Sequence, residues 1–172
     1  MKKKYWLSIS CCFIAMQFSS MMYAQTLTDS IAIDNILKEE VVSWNNGDAK
    51  TYSKHFATNG TFTNVLGFFA VGYTIFYERH DQIFKGPFKG TLLMQDLVSF
   101  RFLSSDIAVV ETLSSVSGFA AGSPFKVTNL DEKGRLRTRL LQIFVRTGND
   151  WTIASYHNTD VKPGTPVPEP LQ

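Results

Sequence analysis

Two histidines, one carboxylate and a short polar cluster are the residues of this chain best suited to chemistry. His80 falls with Tyr73, Phe76, Tyr77 and Phe84 on one apolar face at helical spacing. An imidazole held there can exchange a proton or contact a ligand. It can equally be a core histidine bonded to a backbone carbonyl. Glu111 shares a strand phase with Ile107, Val109 and Leu113. If that phase faces a pocket, the carboxyl is partly desolvated, its pKa rises, and it can abstract a proton beside a carbonyl. The alternative is an ion pair with Arg139 or Arg101 across neighbouring strands. His157-Asn158-Thr159 ends a later strand, where alternation lets only one of His157 and Asn158 face inward. Arg137 and Arg139 share a phase with Leu141, Ile143 and Val145, and one of them could hold an acidic ligand. Trp44, Tyr73, Tyr77 and Phe84 offer ring faces and donors, although such residues more often fill a core.

Other chemistries find no residues to carry them. His55, His80 and His157 are too far apart in sequence for helical metal-ligand spacing, so no metal is expected. The chain has no GxGxxG, P-loop, HExxH or GxSxG motif, and no cofactor is expected.

The elements that must position these residues can be read from periodicity. Thr28 or Asp29 caps a first helix carrying Ile33, Ile36, Leu37, Glu40 and Trp44 on one face. Asn46-Gly47 stops it, and Asp48 caps a short second helix, Ala49–Phe56, with Tyr52 and Phe56 inward. Asn59-Gly60 reads as a turn and Thr61–Leu66 as a strand. Phe68-Phe69-Ala70-Val71 is an apolar patch between Gly67 and Gly72. A third helix spans about Tyr73–Phe84. Long strands follow at Thr91–Leu103 and Ile107–Ser117. A closing hairpin joins Arg137–Arg146 to Thr152–His157 through Thr147-Gly148-Asn149-Asp150. Helices first and strands later indicate α+β with an antiparallel sheet, not βαβ units.

Residues 1–24 read as a signal peptide: Lys2-Lys3-Lys4, an apolar run to about Phe18, and Ala24 before Gln25. The apolar run is too short for a stable membrane span. Three of the 17 Lys and Arg precede residue 25, and all 15 Asp and Glu follow it, so cleavage turns a net charge of +2 into −1. That leaves no positive field for nucleic acid. Cys11 and Cys12 leave with the signal, and with them any disulfide or thiol nucleophile. The expected protein is exported, as one domain over 25–160 with a Pro-rich tail at 161–172. Abundant Phe suits a cupped sheet lined by rings.

The ordered set resembles the nuclear-transport-factor-2-like (SnoaL-like) superfamily, and within it the SgcJ/EcaC-type branch. The residues that carry this are Trp44-Asn45-Asn46-Gly47-Asp48, Phe56-Ala57, Gly60-Thr61-Phe62, Gly72, Ile75, His80 and Phe84. Further along they are Phe88-Lys89-Gly90-Thr91, Asp106–Val110, Arg146, Trp151–Ala154 and His157-Asn158-Thr159. The resemblance implies a cone-shaped curved antiparallel sheet wrapped around three N-terminal helices, with an internal pocket that His80 faces. It also implies a homodimer through the sheet and favours Asn158 as the inward residue. Relatives often carry Gln where His157 stands. The scaffold hosts both enzymes and plain binders. Three functions follow as expectations: binding of a small apolar or aromatic molecule; a cofactor-free isomerase, cyclase or hydratase using His80 or Glu111; or a non-catalytic interaction module.

Overall fold

A computed structural model describes residues 27–120 and 130–167. The expected signal peptide and the last five residues of the expected tail lie outside the described residues. The chain divides into two compact units, Met1–Asn35 and Ile36–Gln172. In the first, the described residues are helical, and Ile33 is buried. The remaining description concerns the second unit.

Helix α1, covering 36–45 in this unit, ends at Gly47, whose φ of 66° is the left-handed conformation a side chain resists. Asp48 then caps α2 (Ala49–Ser53), accepting at Oδ1 from the Thr51 backbone N–H at 3.1 Å. Helix α3 (Tyr73–Lys85) buries Phe76, His80 and Phe84 at intervals of four residues. Tyr73 and Tyr77 stand half-buried at its flank, stacked on each other at 6.3 Å.

Among the described residues six strands form one curved, unclosed sheet: β1 (Phe56–Thr63), β2 (Phe69–Val71), β3 (Leu92–Ser104), β4 (Ile107–Ser117), β5 (Leu136–Thr147) and β6 (Asp150–Asp160). Their order is β2-β1-β6-β5-β4-β3. The fold is α+β, as the element order predicts. All neighbours are antiparallel except β1 and β6, which run parallel. A parallel pair needs a long connection rather than a hairpin, and here most of the chain lies between the two strands. Local sequence signals cannot register such a pairing.

Two boundaries differ from the sequence reading. Helix α2 stops at Ser53, and Phe56 opens β1 instead of closing a helix. Asn59-Gly60 lies inside β1, at a register shift between Phe56 and Thr61. Gly60 is required there by space: a Cβ would meet the Phe56 ring at 2.9 Å and the Ile153 carbonyl at 3.0 Å. The apolar patch after Gly67 is the edge strand β2, paired with Thr61–Thr63.

Strand phase is settled by the register. Ser114 of β4 pairs with Thr138 of β5, and Leu140 of β5 pairs with Asn158 of β6, all on the face toward the helices. The alternate phase aligns Glu111, Leu141 and His157 across the opposite face. The helix-side core is a ring cluster. Phe56 and Phe76 stack at 3.9 Å, and Trp44 meets Phe84 edge-on at 4.9 Å.

Candidate functional site

A cavity of about 80 Å³ opens between the helices and this inner face. That is several times the roughly 10–15 Å³ one water needs. Trp44 from α1, Tyr52 from α2 and Phe88 supply apolar wall, and Leu93, Val116 and Leu140 supply the floor. Among the sequence-predicted residues, the cavity brings together Trp44, His80 and Asn158. Phe84 is buried behind Trp44, and Tyr73 and Tyr77 stand outside the lining.

His80 is 3 % exposed. Its Nδ1 lies 2.8 Å from the Phe76 carbonyl, which can only accept, so Nδ1 carries the proton and Nε2 keeps a lone pair. Burial, aided by the nearby Arg79 charge, lowers its pKa to about 4, although the Phe76 bond opposes the shift. The ring is therefore neutral at neutral pH, an acceptor rather than an acid. Its contacts are aromatic, with Phe76 at 4.2 Å and Tyr52 at 4.7 Å.

Asn158 faces the cavity and His157 is exposed on the other face. The Asn158 Oδ1 atom is buried and accepts no hydrogen bond among the described residues. In the same lining Tyr52 and Tyr156 join hydroxyl to hydroxyl at 2.8 Å. One of the pair donates to the other, which leaves the second proton free to donate elsewhere.

Glu111 and Arg139 do not line the cavity. They meet at 3.8 Å on the opposite sheet face, both partly exposed. The condition for Glu111 as a pocket acid is not met, because the phase containing Val109 and Leu113 turns away from the helices. The ion-pair reading of Glu111 describes its geometry.

Sequence reasoning placed Glu40 on the inward face of the first helix but gave it no role. It is 2 % exposed. Gln142 Nε2 donates to its Oε1 at 2.8 Å, and the Gln95 amide also reaches it. Burial raises its pKa to about 8, and the two amide bonds only partly offset this. Glu40 Oε2 and Gln142 Oε1 are both buried and unpartnered as acceptors. The raised pKa keeps the carboxyl protonated at neutral pH, so Glu40 stands as a neutral acid beside the Gln142 amide. Gln95 carries this network to the cavity wall, its Nε2 also donating to Thr112 at 2.9 Å. A carboxylate on an otherwise apolar helical face is the signal that points to Glu40. Gln142 shows the same anomaly in β5, between Leu140 and Phe144.

Arg79, also unremarked in the sequence, lines the same cavity next to His80. Among the described residues it has no acidic partner within ion-pair distance. No three His, Cys, Asp or Glu side chains among the described residues group into a metal site, and no described helix is long and apolar enough to cross a membrane.

No protein-family model and no curated protein matches this chain. Solved structures do match its fold. A domain of unknown function with a cystatin-like fold from Nostoc punctiforme is 21% identical, with a TM-score of 0.65 over 78% of each chain. An NTF-2 like protein of unknown function from Shewanella oneidensis is 15% identical, with a TM-score of 0.61 over 77% of this chain and 99% of its own. A ketosteroid isomerase-like protein from Erwinia carotovora atroseptica is 15% identical, with a TM-score of 0.59 over 77% of this chain and 96% of its own. The fold is therefore the one these cystatin-like and NTF-2 like structures share.

Proposed function

We propose that this chain is an exported small-molecule-binding domain whose apolar, aromatic cavity takes a small ligand oriented by Asn158. The observation that carries this is the buried, unpartnered Asn158 Oδ1 in the cavity wall. Leaving a buried acceptor unsatisfied costs about 1–3 kcal/mol. A ligand donor that completes it recovers that cost, and the surrounding rings supply apolar contact. The residues from Trp44 to Thr159 quoted above support the SgcJ/EcaC-type branch within the wider fold. The Lys-rich, apolar N-terminus supports export with cleavage near Ala24. The outer sheet face, with Glu111, Arg139, Leu141 and Ile143, is the surface for a homodimer. No nucleic-acid partner is proposed.

The test is Asn158→Leu, which keeps the volume and removes the amide. Melting temperature is expected to hold or rise, while a small molecule extracted from the exported wild-type protein, read by mass spectrometry, is missing from the variant. Recovery of the same molecule from both would overturn Asn158's orienting role.

A second reading rests on the neutral His80 ring in the cavity, with its Nε2 lone pair available. It is a cofactor-free isomerase, cyclase or hydratase with His80 as general base. Glu111 lies outside that cavity and has no part in this mechanism. The likeness to a ketosteroid isomerase-like protein is compatible with it. Turnover lost in His80→Gln with ligand binding retained would favour this reading over binding alone.

A further inference from the structure

The groups around the cavity differ sharply in charge. His80 is neutral, and burial keeps the Tyr52 and Tyr156 hydroxyls protonated. Glu40, behind the wall, is kept neutral at neutral pH by its burial. Arg79 keeps its full positive charge, as guanidinium does in any protein environment. Among the described residues lining the cavity it is the one formal charge, and no carboxylate lies within ion-pair distance of it.

Arg79 also stands at a boundary. It lines both the inner cavity and a larger outer groove of about 330 Å³. Asn64 and Leu66 share both, so these three residues form the neck between them. The Arg79 guanidinium sits 6.0 Å from the Phe68 ring centre, an apolar neighbour that leaves its donors unused. Asn64 is fixed by its carbonyl: Oδ1 accepts from the Leu66 N–H at 2.9 Å and from the Phe68 N–H at 3.0 Å. Its Nδ2 group has no partner among the described residues. The neck thus combines an uncompensated guanidinium with a pre-oriented amide donor. Glu78 lines the outer groove but not the cavity, so its charge disfavours an anion on the outer side.

We infer that the cavity selects an organic anion: a small aromatic or aliphatic acid whose carboxylate is held at the neck by Arg79 and Asn64 Nδ2, its apolar body inside. This rests on the small-molecule-binding reading above and names its ligand class. A hydroxyl on the inner end of such a ligand can donate to Asn158 Oδ1.

The test compares 4-hydroxyphenylacetate with 4-hydroxyphenylacetamide, which match in shape and differ in charge, by calorimetric titration at neutral pH. The acid is expected to bind about tenfold or more tightly than the amide. Arg79→Gln should bring the acid down to the amide's affinity and leave the amide unchanged; Arg79→Lys should keep part of the preference. A measurement on the wild-type protein does not depend on the variants folding. NMR titration of His80 should show its pKa rise with the acid bound, since a carboxylate offsets the Arg79 charge, and stay put with the amide. Equal binding of acid and amide, or a preference that survives Arg79→Gln, would overturn the anion inference and leave the cavity reading standing. Absence of binding by both probes would overturn the two together.

Discussion

Glu40 shows how one side chain can be unremarkable in sequence and decisive in the folded chain. Its folded pKa of about 8 lies above the ordinary value of 4.5, so the folded state binds the proton more tightly. The associated stability is fully present below pH 4.5 and is lost as pH rises through 8. Glu40→Gln keeps the shape, still accepts from Gln142 Nε2 and carries no titrating proton. Thermal melts from pH 6.5 to 9 should show the wild type losing stability on the order of a few kcal/mol, while the variant stays nearly flat. A wild type that does not weaken over that range would mean Glu40 is ionised or hydrated in the folded state. Asn158 carries the opposite trade. Its amide serves the cavity and not the fold, so Asn158→Leu should raise stability by up to about 1 kcal/mol in chemical denaturation.

At the scale of elements, β1 is the strand whose irregularity the fold depends on. Its register against β6 shifts between Phe56 and Thr61, and Gly60 fills the shift where the Phe56 ring and Ile153 carbonyl close in. Gly60→Ala forces ring or strand to move and should destabilise by about 1–3 kcal/mol in urea unfolding. The β5–β6 hairpin is a contrasting case. Gly148 has a φ of 65° with nothing within 4 Å of where a Cβ would stand, and no non-glycine among the described residues has positive φ, the pattern of a two-residue type II′ turn. Gly148→Ala is thus strained by backbone conformation alone and should cost about 1 kcal/mol in the same measurement. Comparing the two variants separates a packing requirement from a dihedral one. Helix α3 presents Phe76, His80 and Phe84 as its period predicts, while Arg79 escapes notice because it lies off that stripe and reaches the neck from the side.

Across the whole molecule, two buried groups titrate in opposite senses. His80 has a folded pKa of about 4 against 6.5, so its neutral form favours folding above pH 6.5 and that contribution is lost as pH falls through 4. Glu40 weakens the fold as pH rises from 4.5 to 8. Between about pH 4.5 and 6.5 the slopes oppose and largely cancel. Of these two, only Glu40 acts above pH 6.5 and only His80 below pH 4.5, where the lowered Asp131, Asp48 and Glu39 carboxyls add to the acid loss. Melting temperature should therefore plateau between those limits and fall on both sides, with Glu40→Gln removing the alkaline fall and leaving the acid one. A single maximum at neutral pH would contradict the assignment.

Periodicity and turn chemistry carried much of the fold in the sequence itself. Asp48, Gly47 and the spacing of Phe76, His80 and Phe84 are local signals with local causes, and the helix-then-strand order pointed to α+β. Glu111 and Asn158 mark where such reasoning stops. Strand alternation says that Glu111 moves with Val109 and Leu113, and that Asn158 opposes His157. It cannot say which phase meets the helices. That depends on long-range register, from Phe62 against Tyr156 through Leu140 against Asn158 to Ser114 against Thr138. The same register brings Gln142 and Gln95 to Glu40. Arg79 gains its meaning from what is missing around it, an opposing charge, which only packing decides.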